Sequence, residues 1–588
     1  MNNILKNNKA SLLLSKLLVK PNNSSTSTSN SNISIFSQQQ KNTNNANTIN
    51  TNHLSQFSPS LSSLSSTTTT PSPSSLISNI FRKKNVLSYF STSTSSNSVQ
   101  DVLSKSPFLP LTVPHPKLKE FNLSNQNDNN NSGNENMDYK EQITTLPNGI
   151  KVISKQTHEE ACAIGLYVNT GSKFETPENR GVFNLLQKMT FKATKNNTTP
   201  EIVRSLEDIS LNAMSVSSRE IMQISIEVLR KDVENILKIF SDQIKCPLFE
   251  QEELKEQIES CIRNWESLNS SADSLLPELL QRVAFGDEGL GSSIFAAPNE
   301  YESITREKLF EAIERYYVGK NIVVSGTGIN HGELVQMVQK YFSDIPYQRA
   351  NTPTIESVDA KTVYNGGTMA FSPESDEVDP SWIVAFPFKG LASITESNDI
   401  FTAFVLQSIL GGGSAYSTGG PGKGMQSRLN LNVVYRLHKI KHCSAFFSVF
   451  NQHSLFGVNL NTTPGSLGNA IELLLSELLF FNQNVTMEEL NRAKRSQKSQ
   501  ILTNLELRGV LCDDMARQLV GMGQWKTPEE VCKAIDSVTM EDVKALYTKI
   551  MQSKPSVVVL ASEKDSVITA EDFNLIVQQN LKLLTGTK

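Results

Sequence analysis

Leu410-Gly-Gly-Gly-Ser-Ala-Tyr-Ser-Thr-Gly-Gly-Pro-Gly-Lys-Gly-Met-Gln-Ser-Arg428 is the stretch from which the rest of this chain is best read. Seven glycines and a proline fall within residues 411–424. Glycine gives the backbone positive φ and close approach to a partner, at a cost in entropy. A loop so rich in it, set inside a folded half, is read as a mobile surface that touches an extended ligand. A P-loop would need G-x-x-x-x-G-K-[ST], but Lys423 is followed by Gly424. A dinucleotide fingerprint would follow a strand and open a helix, whereas this loop follows a helical run.

The elements on either side repeat. Around the loop, a strand at 382–388 precedes a helix at 399–410. Strands at 443–450 and 455–461 follow. Thr486-x-x-Glu489 and Thr527-Pro-x-Glu530 then open helices as capping boxes. A helix from 539 and a strand at 556–562 close the half. The first half has the same order. Pro147-Asn148-Gly149 turns a hairpin over 143–156. A strand at 161–169, a helix over 180–194, and a helix opened by Thr199-Pro200-Glu201 come next. A strand at 221–229, a long charged helix at 251–267, a strand at 322–328 and a helix to 342 complete it. The proline-bearing polar stretch 345–359 reads as the linker. The fold class is therefore α+β, with two related domains at 139–350 and 351–588.

Residues 1–138 read differently. Met1 to Lys20 alternates leucines with lysines and carries no acid, as a mitochondrial transit peptide does. The Asn/Ser/Thr/Gln-rich tract after it lacks apolar content for a core, which predicts disorder. No Asp or Glu precedes Asp101, while eight Lys and Arg do. Without those eight the chain has 47 Lys and Arg against 59 Asp and Glu, about −12. An acidic body argues against nucleic acid and suits a basic ligand. The six cysteines form no C-x-x-C pair, so free thiols and a reducing compartment are expected. No apolar run is long enough to span a bilayer, so the chain is expected to be soluble or held peripherally at the inner membrane by partners.

Gly171-Ser-Lys-Phe-Glu-Thr-Pro-Glu-Asn-Arg-Gly181, Met189-Thr-Phe-Lys-Ala-Thr194 and the glycine-rich loop together resemble the pitrilysin-like metallopeptidases. Within them, the loop is similar to that of the non-catalytic α subunits that process mitochondrial precursors. The resemblance covers the chain from about Tyr139 onward. It implies a clamshell of two homologous domains and a location in the mitochondrial matrix. It also implies a heterodimer with a catalytic β subunit that carries zinc. Active members hold that metal with H-x-x-E-H on a helix, two His on one face and a Glu base between. On this sequence the motif falls on Asn184-Leu-Leu-Gln187-Lys188, and the third ligand falls at or near Asn264. An ammonium at Lys188 repels a dication, and the Gln187 amide takes no proton near neutral pH. No metal and no catalysis are expected in this chain. Asn184, Gln187 and Lys188 are expected to form a polar face satisfied by water or by one another. His438 and His442 are spaced i, i+4 but sit in turn or strand, and read as a basic edge.

The resemblance gives the loop contact with precursor presequences, through Gly411, Gly412, Gly413, Ser414, Gly419, Gly420, Pro421, Gly422, Lys423 and Gly424. Presequences are basic, so the acidic run with Glu374, Asp376, Glu377 and Asp379 is a candidate for their arginines; the plainer reading is a solvated turn. A second reading of the whole chain is a structural core subunit of the respiratory cytochrome reductase complex.

Overall fold

The structure is a computed structural model that describes residues 140–585, apart from 373–378, 396, 418–419, 421–423 and 562–566. The leader and the Asn/Ser-rich tract lie outside the described residues. Two six-stranded sheets organise the rest.

The first half runs β1 (Gln142–Thr145), β2 (Lys151–Lys155), β3 (Ala161–Val168), α1 (Val182–Lys188), α2 (Thr199–Ile209), β4 (Ser210–Ser217), β5 (Met222–Leu229), α3 (Val233–Lys245), α4 (Gln251–Asn269), α5 (Ala272–Phe285), α6 (Arg306–Tyr316), β6 (Ile322–Thr327) and α7 (His331–Phe342). The second runs β7 (Gly367–Phe371), β8 (Ser381–Lys389), α8 (Asp399–Leu410), β9 (Gly412–Ser414), β10 (Ile440–Val449), β11 (His453–Thr462), α9 (Leu467–Leu479), α10 (Met487–Leu505), α11 (Arg508–Met522), α12 (Pro528–Ser537), α13 (Met540–Gln552), β12 (Ser556–Leu560) and α14 (Ala570–Thr585).

Sheet order is β1-β2-β6-β3-β5-β4 in the first half and β7-β12-β8-β11-β10-β9 in the second. Aligning β3 with β8 superposes five strands, including a parallel pair at corresponding places, β2 with β6 and β7 with β12. Each sheet then has one strand of its own: β1 at one end of the first, β9 at the other end of the second. The repeated order read from the sequence is thus a repeated topology.

Central strands are apolar on both faces because both faces are covered. In β3 seven of eight residues are buried. One face of each sheet packs on its own half's helices. The other face receives a helix lent by the opposite half. From α5, Leu276, Leu280 and Phe285 pack with Ile383, Ala385, Leu455 and Val558 of the second sheet. From α11, Leu511, Met515 and Leu519 pack with Ile153, Tyr167 and Val323 of the first. This exchange ties the halves together, and Ser325 Oγ adds a 2.8 Å hydrogen bond to the Cys512 carbonyl. At the joint, the buried Lys173 ammonium is paired with Glu220 at 2.8 Å and with Asp359, and Glu220 also accepts from the Asn451 N–H.

Several sequence readings need correction. The helix expected over 180–194 stops at Lys188, since Phe191 takes φ 65° and turns the chain. The linker contains a short helix, Ile355–Asp359. Strand β4, helix α5 with its internal Pro277, and α14 carry weak signals and are absent from the sequence reading. The cysteines are free as expected, four of them buried and Cys246 and Cys532 half-buried.

Candidate functional site

The glycine-rich loop is clamped at both feet. Helix α8 is buried nearly all round and ends at Gly411, whose φ of 58° turns the chain out of the helix. A Cβ on Gly411 would stand 2.2 Å from Ser427 Cβ, and one on Gly412 would stand 2.1 Å from the Cys443 carbonyl oxygen. Only glycine allows this approach. Gly412, Gly413 and Ser414 form β9, antiparallel to Ser444, Cys443 and His442 of β10. β9 ends its sheet, so one side of its backbone has no strand neighbour among the described residues.

The returning foot is fixed by side chains. Ser427 Oγ accepts from Gly412 N–H at 2.9 Å and donates to the Gly424 carbonyl at 2.6 Å. Asn430 Nδ2 donates to the same carbonyl at 2.9 Å. Arg428 is buried. It donates through Nε to Glu477 at 2.6 Å, through its terminal nitrogen to Glu489 at 3.0 Å, and to the Asn484 carbonyl at 3.2 Å. Its guanidinium also lies over the Phe481 ring, 5.6 Å from the centroid. Glu489 serves twice, since it also closes the Thr486 capping box at the start of α10. Burial pushes the Glu477 carboxyl upward, and Arg428 opposes that shift. Between the feet, Ala415 N–H bonds to the Lys441 carbonyl at 2.8 Å and Tyr416 is 75% exposed. Gly420 has φ 124°. Gly424 takes φ 72° in open space, so its glycine answers to backbone conformation alone. Gly419, Pro421, Gly422 and Lys423 lie outside the described residues.

Of the acidic run, Glu374, Asp376 and Glu377 also lie outside the described residues. Asp379 accepts from the Lys441 ammonium at 2.5 Å, beside the loop's base, and this raises the lysine's pKa.

The degenerate metal motif lies on α1, and two of its three residues bond to neighbouring elements rather than to one another. Asn184 is buried and accepts a 2.8 Å hydrogen bond from the Tyr301 hydroxyl. Gln187 Nε2 donates to the Ser215 carbonyl of β4 at 2.8 Å. Lys188 faces the Cys261 thiol of α4; burial pushes that thiol up to about 11, against the pull of Lys188. Asn264, one turn further along α4, is half-buried, and it is Cys261 that interacts with Tyr301. Beneath the start of α1, the fully buried Glu175 accepts from Gly181 N–H at 2.8 Å and Phe183 N–H at 3.1 Å. Burial still pushes its carboxyl from 4.5 up to about 8.

An amide oxygen already taken by a tyrosine, an amide nitrogen turned to a carbonyl, and an ammonium do not fit zinc, whose ligands are imidazole, thiolate and carboxylate. Among the described residues no group of three or more His, Cys, Asp and Glu is placed to hold a metal ion. His442 bonds to Ser444 Oγ at 2.8 Å, while His438 is exposed.

Tyr301, Cys261, Glu175, Ser427, Arg428 and Asn430 were not singled out from the sequence. Only the Thr486-x-x-Glu489 box pointed near one of them, because its acid also holds Arg428.

Two family models match consecutive parts of the chain. "Insulinase (Peptidase family M16)" covers residues 151–298, and "Peptidase M16 inactive domain" covers 303–497. A relative from Dictyostelium discoideum, named mitochondrial-processing peptidase subunit alpha-1, is 51% identical over 82% of this chain and 83% of its own length. The chain belongs to peptidase family M16. Proteins named mitochondrial-processing peptidase subunit alpha are also similar in Solanum tuberosum, at 34% identity over 70% of this chain and 80% of the relative, and in Homo sapiens, at 27% over 78% and 88%. Among solved structures, a protease from Helicobacter pylori matches with TM-score 0.63 at 16% identity, over 72% of this chain and 99% of that one. A chain of complex III2 from Candida albicans matches with TM-score 0.62 at 15% identity, over 74% and 99%. At such identities the likeness is one of fold. M16 membership accounts for the paired α+β halves, and the second half matches the model described as inactive.

Proposed function

We propose that this chain is the non-catalytic, substrate-recognising α subunit of a mitochondrial processing peptidase. It binds basic N-terminal presequences of imported precursors in the matrix and presents them to a β subunit that holds the zinc. The observation that carries this reading is the glycine-rich loop with both feet pinned to a rigid sheet and helix layer. Feet held in that way keep the base of the loop at a fixed place beside β10. The open side of β9 offers backbone groups to an extended peptide, a recurring way for peptides to add to a sheet. Gly411, Gly412, Gly413 and Ser414 shape that edge, and Gly419, Gly420, Pro421, Gly422, Lys423 and Gly424 complete the proposed contact. Glu374, Asp376 and Glu377 supply negative charge for presequence arginines, and Asp379, paired with Lys441, adds to it only by exchanging that partner. Exposed pairs of this kind contribute about 0–1 kcal/mol each, so several act together.

The amide and ammonium substitutions on α1 support the non-catalytic part of the reading. The test is reconstitution. The purified chain alone is expected to cleave no precursor and to carry no stoichiometric zinc by metal analysis. Adding the β subunit restores cleavage. One tightly held Zn²⁺ in the isolated chain, or chelator-sensitive cleavage by it, would overturn the proposal. Co-purification with haem-bearing subunits, together with no effect of the chain on cleavage, would instead favour a role as a core subunit of a respiratory complex.

A further inference from the structure

The second half contains a cavity that neither the loop nor the α1 motif uses. It lies among α8, α10, α11 and α12 and holds about 370 Å³. That is within the ~300–1,000 Å³ range of small-molecule sites. Its walls are apolar, with Phe401, Phe404, Val449, Ile501, Leu505 and Val531 among them. A cavity with such walls excludes water in favour of an apolar occupant.

The polar lining comprises Gln497 and Asn504 of α10 and a group on and just after α11. Asp514 accepts from Gln518 Nε2 at 2.9 Å and from Trp525 Nε1 at 3.3 Å. Gln518 Oε1 in turn accepts from the Lys526 backbone N–H at 2.9 Å. Arg517 is held by Asp513 at 2.7 Å and by Gln223 at 2.8 Å. Carboxylate, amide and guanidinium are therefore all committed. The half-buried Lys526 ammonium differs: among the described residues it has no carboxylate within ion-pair distance.

We propose that this cavity binds a single-chain anionic amphiphile, with its alkyl chain among Phe401, Phe404, Ile501 and Val531 and its carboxylate at Lys526. Size selects the chain. A volume of about 370 Å³ with apolar walls suits an alkyl chain. Charge selects the head group: the free ammonium disfavours a basic targeting peptide and attracts a carboxylate.

The test is calorimetric titration of dodecanoate into the full chain, with dodecyltrimethylammonium as the opposite-charge probe. The expected result is one dodecanoate per chain, weakened at least tenfold in Val531→Trp, which fills the space. Lys526→Glu is expected to weaken dodecanoate at least tenfold and to favour the cationic probe. Because Lys526 is half-exposed, that variant keeps the test sound if the tryptophan variant misfolds. Absence of saturable dodecanoate binding to the native chain would overturn the proposal. So would binding that Lys526→Glu leaves unchanged, or displacement of dodecanoate by a basic amphipathic peptide. Binding to phosphatidic acid vesicles without binding of free dodecanoate would also overturn it, in favour of a membrane surface.

Discussion

The two halves place a helix at the same point in the same topology and use it in opposite ways. In each, a helix follows the central strand, α1 after β3 and α8 after β8. The polar face of α1 is closed: Asn184 is locked to Tyr301, Gln187 to the Ser215 carbonyl, and Lys188 stands against a thiol. Helix α8 is buried nearly all round and ends at Gly411, where the glycine-rich loop begins. One half thus closes its helix face by packing, and the other pins the feet of a glycine-rich loop. In the proposed function, the duplicated layout supplies the frame and the second half meets the ligand.

The sharpest way to break that contrast is at Arg428. Removing the guanidinium by Arg428→Met strands Glu477 and Glu489 as buried acids without their cation. A loss of about 3–5 kcal/mol is expected from chemical denaturation, together with a loosened loop. If stability holds, the loop is not anchored through this residue.

The glycines grade the loop from foot to tip. Gly411→Ala must displace Ser427 and accept a left-handed φ, so about 2–4 kcal/mol is expected. Gly424→Ala meets open space and bears backbone strain alone, about 1 kcal/mol. Equal losses in thermal unfolding would show that the foot is not packed as described.

On the opposite half, Asn184→Ala leaves the buried Tyr301 hydroxyl without its acceptor. The expected cost is about 1–3 kcal/mol, with peptide capture unchanged. Weakened capture in a folded variant would place α1 in the ligand site and erase the contrast.

A further prediction concerns pH. The folded pKa of Glu175, about 8, lies above its ordinary 4.5 because burial favours the neutral acid. Its stabilising contribution is therefore complete below about pH 4.5 and is lost as pH rises through 8. Glu175→Gln keeps an acceptor for the start of α1 and cannot ionise. Its stability is expected to fall less than that of the native chain between pH 5 and 8 in parallel denaturation curves.

Much of this frame is legible in the sequence, for physical reasons. Asn148-Gly149 turns a hairpin because glycine takes φ 88° there. The Thr486 and Thr527 boxes cap helices because threonine oxygens meet free N–H groups at 3.3 and 3.2 Å. β3 and β8 read as strands because both faces are buried. What could not be read depends on distant partners. Ser210–Ser217 has weak strand propensity and is a strand because β5 pairs with it. Gly412–Ser414 has none and is extended because β10 lies beside it. Arg428 stands next to a conspicuous motif, yet its acids lie 49 and 61 residues away. The contact of Cys261 with Tyr301 is likewise a meeting of distant residues that no motif announces.

The most direct measurement is fluorescence anisotropy of a labelled basic presequence peptide with the assembled heterodimer, comparing the native α chain with one lacking residues 411–424. The account predicts that the shortened chain still assembles with its β partner and binds the peptide at least tenfold more weakly. Equal affinity in an assembled, folded complex would contradict it.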